Sequence, residues 1–101
     1  MKYFGKKDHF IIAEIASSHD GKISKLKKLT NFSINTGADA VKFQIFKANK
    51  LLSTSNPLYN EFKKIEINYA EWKKFFLSYK KYKKKIIVEP FDFYSLEFCN
   101  S

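Results

Sequence analysis

Apolar residues gather in three short runs separated by two stretches of helical spacing, and this rhythm outlines the chain. Residues 10–16 are almost continuously apolar, with Glu14 as the interruption; such runs make strands of a parallel sheet covered on both faces. Ser17-Ser18-His19-Asp20-Gly21 then breaks the run with turn-forming residues. Over residues 22–36, Ile23, Leu26, Leu29 and Phe32 are spaced for one helix face, and Gly37 stands where a left-handed cap closes such a helix. Residues 40–46 alternate strictly and predict a second strand. A longer connection, 47–67, carries Ser53-Thr54-Ser55-Asn56-Pro57 and a short helix over about 58–64. Asn68 followed by Glu71 predicts an N-cap with a reaching carboxylate. Trp72, Phe75, Phe76, Tyr79 and Tyr82 then line one face as core, with lysines on the other. Ile86-Ile87-Val88-Glu89 is a third strand, and Asp92 is placed to cap a third helix of barely two turns before Ser101.

Strand, helix, strand, helix, strand, helix start is the order of right-handed β-α-β crossovers and a parallel sheet. Parity along the strands sorts their side chains. Ile11, Ala13 and Ile15 share one face of the first strand; Phe10, Ile12, Glu14 and Ala16 share the other. Val41, Phe43 and Ile45 oppose Ala40, Lys42, Gln44 and Phe46 in the second, and Ile86 and Val88 oppose Ile87, Glu89 and Phe91 in the third. Strand order one, two, three therefore puts Glu14, Lys42, Gln44 and Glu89 on one side. An unpaired buried charge costs roughly several kcal/mol, so such a row calls for an explanation. In a barrel this side is the interior, whose C-terminal mouth holds active sites. A stabilising Glu14–Lys42 ion pair accounts for the same pattern without function. His19 follows the first strand, where a barrel places active-site loops; composition alone makes it a solvent-exposed loop histidine. Cys99 reads as a small apolar residue on the third helix. No zinc, phosphate-loop, Cys–His or Ser–His–Asp spacing is present.

Composition narrows the classes. The 101 residues suit one small domain, and 45% hydrophobic with 18% aromatic content excludes a disordered chain. No run of about eighteen apolar residues predicts a membrane span. Residues 1–8 carry the charge of a signal peptide without its apolar stretch. The single cysteine, Cys99, permits no internal disulfide and fits a reducing compartment, so the expected location is the cytoplasm. The net charge of +9 invites a nucleic-acid or anionic-membrane partner. All nineteen basic residues are lysine, however, so the bidentate arginine forks that favour base edges and phosphates are missing. The lysines cluster at residues 80–85, at the end of the second main helix, where cations complement the helix dipole and stay in water. A solvated lysine face is thus the first reading. Its rival is a small basic non-enzymatic α/β protein that binds RNA or anionic surfaces.

Three blocks carry a resemblance: Ile11 through Gly21, Gly37 through Lys47, and Pro90-Phe91-Asp92. In this order and at these intervals they resemble the N-terminal part of the catalytic barrel in the N-acetylneuraminate (sialic acid) synthase family. The resemblance implies a partial (β/α)8 barrel over residues 1–101: the first three β/α units, with the chain a fragment truncated in the third helix. It implies that the full-length enzyme, a homodimer, joins phosphoenolpyruvate to N-acetylmannosamine or a related N-acetylated amino sugar, and that this fragment alone is inactive. A divalent metal, Mn2+ or Mg2+, is implied as well, with histidine ligands outside this chain. By position, Glu14 is the implied catalytic residue, contacting sugar hydroxyls near the reacting carbonyl. Lys42 neutralises the phosphoenolpyruvate anion, Gln44 hydrogen-bonds beside it, and His19 and Glu89 join the substrate site. Two departures stand out. Ser18 replaces an asparagine that often precedes the loop histidine, and Glu89 replaces a small hydroxyl residue. That carboxylate repels the anion unless it pairs with Lys42 or faces the metal or the sugar.

Overall fold

The computed structural model describes residues 9–101; the charged segment 1–8, read above for signal-peptide features, lies outside them. Strand β1 (Ile12–Ala16) leads through a tight loop to helix α1 (Ile23–Asn35), and β2 (Ala40–Ile45) follows. Two short helices, α2 (Ala48–Leu51) and α3 (Tyr59–Ile65), fill the long connection before α4 (Tyr69–Ser78). Strand β3 (Ile86–Pro90) and helix α5 (Phe93–Cys99) complete the order. Both strand pairs are parallel and β2 is central, as the crossover pattern predicts. The fold is the expected α/β partial barrel, three parallel strands alternating with helices. Among the described residues no helix is long and apolar enough to cross a membrane.

One face of the sheet carries the core. Ile15, Val41, Phe43 and Ile45 pack with Leu26 of α1 and with Ile67, Trp72, Phe75 and Tyr79, while Ile86 and Val88 lie against the same cluster. The other face is not covered on both sides as the first apolar run suggests: Ile12 is 46% exposed and Phe10 65%. The caps form as read. Asn68 Oδ1 accepts the Glu71 N–H at 2.9 Å, and Gly37 adopts φ +90°.

Two local expectations fail for geometric reasons. Phe32 is 69% exposed, whereas Leu26, Thr30 and Ser33 are the buried residues of α1. Steps of three fall about 60° short of a full turn, so Phe32 lies about 120° around the helix from Leu26, while Thr30 and Ser33 stay within about 40° of it. Thr30 and Ser33 enter the interior because their hydroxyls donate to the Leu26 and Leu29 carbonyls, both at 2.8 Å. The lysine run does not sit on the end of α4, which stops at Ser78; residues 80–85 form a 3-10 helix. Its three residues per turn align Tyr79 and Tyr82 on the core side. Tyr79 is anchored there by donating to Asn31 Oδ1 at 2.6 Å. Cys99 lies on the last helix, α5, as read, and is exposed at its end.

Candidate functional site on the open face of the sheet

The parallel register sets Glu14 directly across from Lys42, and Gln44 across from Glu89. The four side chains predicted to share a face therefore come together toward the C-terminal ends of the strands. Lys42 Nζ lies 3.3 Å from Glu14 Oε1 and 3.2 Å from Glu89 Oε1, so one ammonium bridges two carboxylates on neighbouring strands. Hydrogen bonds to Glu89 and then Glu14 hold the Lys42 ammonium above its ordinary pKa, against a smaller lowering by burial. The row stays open to water, with side-chain exposures of 28% for Lys42, 42% for Glu14 and 45% for Glu89. Such an arrangement offers an ammonium to an anion and two carboxylates to hydroxyl or cationic groups.

Backbone irregularity positions Glu14. The β1–β2 register shifts between Glu14 and Ala16, and Ala16 has φ +50°. The bulge turns the Ala16 N–H back to donate to Glu14 Oε2 at 3.2 Å. One oxygen of Glu14 is thus held by backbone and the other by Lys42.

His19 is not a solvent-exposed loop residue: it is 1% exposed. Its Nδ1 accepts the Gly21 N–H at 2.8 Å, and its ring meets Trp72 edge-on at 6.0 Å. Burial lowers its pKa, outweighing the nearby Asp20 that raises it, and Lys25 lowers it further. The acceptor role of Nδ1 needs the neutral ring, with its proton on Nε2. Trp72 contacts Phe43 on the helix side of β2. His19 therefore braces the loop from the helix layer, whereas Lys42 and its partners occupy the opposite face. The polar composition of residues 17–21 gives no sign of that burial.

Gly21 fixes the same loop. It adopts φ +75°, and a Cβ there would come within 2.3 Å of the Lys64 carbonyl oxygen at the end of α3. Gly21→Ala is expected to lower stability by about 1–2 kcal/mol from the left-handed conformation alone. Urea denaturation followed by circular dichroism checks this, and an unchanged midpoint would contradict the close packing of this loop on α3.

A second set of polar residues escapes the sequence reading. Asp92 Oδ1 accepts the Ser95 N–H at 2.8 Å, the cap expected, while Oδ2 accepts the Lys47 N–H at 2.9 Å and the Ser95 hydroxyl at 2.9 Å. Glu66 Oε1 accepts the Ala48 N–H at 2.8 Å. Both carboxylates tie down the chain leaving β2, just beyond Gln44. No local pattern predicts these partners, which lie 45 and 18 residues away. Phe46 is buried beside them, with Phe62 at 5.6 Å and Phe91 stacked at 6.4 Å.

Three parallel strands alternating with helices, with a core on one face of the sheet and a charged row on the other, are the architecture of part of a β/α barrel. No family model matches the chain. Curated proteins and solved structures do. A Methanocaldococcus jannaschii protein described as uncharacterized is 34% identical over 100 residues, 98% of this chain and 30% of that protein. The N,N'-diacetyllegionaminic acid synthase of Campylobacter jejuni is 46% identical over 48 residues, 48% of this chain and 14% of the synthase. The spore coat polysaccharide biosynthesis protein SpsE of Bacillus subtilis is 44% identical over 50 residues, covering 50% of this chain and 13% of that protein. The crystal structure of an N-acetylneuraminic acid synthetase from Leptospira borgpetersenii, in complex with citrate, superposes with a TM-score of 0.75 at 25% identity. That match covers 90% of this chain and 32% of the synthetase. The chain is thus similar to proteins of the sialic acid synthase family, and it spans at most about a third of the length of the relatives it matches.

Proposed function

We propose that the chain supplies the first three β/α units of a carbohydrate-biosynthetic synthase that condenses phosphoenolpyruvate with an N-acetylated amino sugar. The observation that carries this reading is the Lys42 ammonium on the central strand, presented between two carboxylates on the face of the sheet opposite the core. Lys42 meets the phosphoenolpyruvate anion as a point charge. Gln44, one alternation further along β2, hydrogen-bonds the substrate beside it. Glu14, held by Lys42 and the bulge, faces the sugar hydroxyls near the aldehyde. In the reaction, C3 of phosphoenolpyruvate bonds to the aldehyde carbon, water adds at C2, and phosphate leaves with cleavage of the C2–O bond. Binding, rather than turnover, is the property these three strands carry by themselves. The lone cysteine favours a reducing compartment such as the cytoplasm.

The family resemblance also implies Mn2+ or Mg2+. Among the described residues no group of three or more His, Cys, Asp or Glu side chains could hold a metal ion. The described residues therefore do not make a metal centre, and the roles above use none.

Lys42→Ala tests the reading. A charge-assisted hydrogen bond contributes about 1.5–3 kcal/mol, so phosphoenolpyruvate affinity is expected to fall about ten- to a hundredfold. Amide chemical-shift titration of the labelled chain with phosphoenolpyruvate measures this, with N-acetylmannosamine titrated in parallel and expected to change far less. Equal affinities of wild type and Lys42→Ala for phosphoenolpyruvate would remove the assignment.

A further inference from the structure

We infer that Glu89 is a specificity-determining residue: a built-in counter-ion that occupies Lys42 in the empty site and must release it before a phosphate-bearing anion binds. The inference rests on the reading of Lys42 as the anion-binding group, and it adds what sets the affinity there.

The two carboxylates on Lys42 are not equivalent. Glu14 is directly opposite Lys42 in the register, and its second oxygen is held by the Ala16 N–H. Glu89 lies two residues beyond Ile87, the register partner of Lys42, so Lys42 reaches along the sheet to meet it. Among the described residues Lys42 alone ties the Glu89 carboxylate. Glu89 is 45% exposed, so water can take over its solvation once it lets go. Glu89 is thus the partner that can leave, and Glu14 the one that stays.

Charge then determines the consequence. Two carboxylates around one ammonium leave the row with a formal charge of −1, which opposes a multiply charged anion more than a singly charged one. The Glu89 hydrogen bond is the largest contribution holding the Lys42 ammonium above its ordinary pKa, with Glu14 next. Glu89 therefore weakens phosphate esters in particular and keeps Lys42 charged and in place while the site is empty.

The test compares wild type, E89Q, E89D and E89Q/K42A as the full 101-residue chain, titrated with phosphoenolpyruvate and with pyruvate as a singly charged probe. E89Q is expected to tighten phosphoenolpyruvate about tenfold and pyruvate by clearly less. E89D is expected to restore weak binding, and E89Q/K42A to lose the gain. In a parallel pH titration followed by NMR of the Lys42 side chain, E89Q is expected to lower the pH at which its ammonium deprotonates. If Lys42→Ala weakens phosphoenolpyruvate but E89Q changes neither affinity nor the Lys42 titration, the counter-ion role is refuted and the assignment of Lys42 stands. Equal gains for both probes would refute the selection by charge. Absence of phosphoenolpyruvate binding in both wild type and E89Q would overturn the inference together with the reading beneath it.

Discussion

Trp72→Ala is expected to cost about 3–5 kcal/mol, a large part of the roughly 5–15 kcal/mol that keeps a typical domain folded. Trp72 is 1% exposed and joins three parts of the molecule. Its ring lies 5.9 Å from Phe43 of β2, 5.9 Å from Phe75 and 5.4 Å from Phe76 within α4, and 6.0 Å from His19 of the β1–α1 loop. Truncation removes the largest side chain in the core and leaves a void at the point where sheet, helix and loop meet. The surrounding groups cannot all collapse into it, because Phe43 is fixed by the strand and His19 by its bond from Gly21. Trp72→Phe keeps an aromatic ring in the same place and is expected to lose less than half as much. Urea unfolding followed by far-ultraviolet circular dichroism reads both, since the fluorophore is lost with the residue. A Trp72→Ala midpoint within experimental scatter of wild type would contradict this packing.

Asp92→Ala is expected to lower stability by about 2–4 kcal/mol. Loss of an N-cap contributes about 0.5–2 kcal/mol, and leaving the Lys47 N–H without its acceptor about 1–3 kcal/mol. The two losses are coupled, because one carboxylate holds both the start of α5 and the exit of β2. Burial by itself raises the Asp92 pKa, but the hydrogen bonds from Lys47 and Ser95 outweigh it and leave it below the ordinary value of 3.8. A carboxylate depressed in the folded state stabilises fully above its unfolded pKa, and that stabilisation is lost as pH falls through the folded one. The gap between wild type and Asp92→Asn should therefore be constant near neutrality and narrow below the ordinary carboxylate range. Denaturation midpoints of both proteins from pH 7 downward measure it; a gap that widens on acidification would refute the assignment. This anchoring also bears on the site, since the exit of β2 begins just past Gln44.

Much of this architecture was legible in the one-dimensional pattern. Strand parity is a property of the extended backbone, so the shared face of Glu14, Lys42, Gln44 and Glu89 followed once the strands were taken as parallel and in order. The aromatic stripe of α4 and the caps at Asn68 and Asp92 were legible for the same reason: each is a contact between residues no more than four apart. The three motif blocks pointed to the family through local wording of the same kind.

Tertiary structure decided the rest, wherever the deciding partner lies far along the chain. His19 reads as a polar loop residue, yet Trp72, more than fifty residues later, closes over it. Phe32 reads as core and is exposed, because the sheet meets α1 on the side of Leu26, Thr30 and Ser33. The bulge that holds Glu14, the second duty of Asp92 at Lys47 and the choice of Lys42 as common partner of both carboxylates arise from register between elements. Periodicity reports which side of an element a residue occupies. It carries no information about what comes to lie against that side, and for Lys42 that contact is an ion pair with a carboxylate from each neighbouring strand.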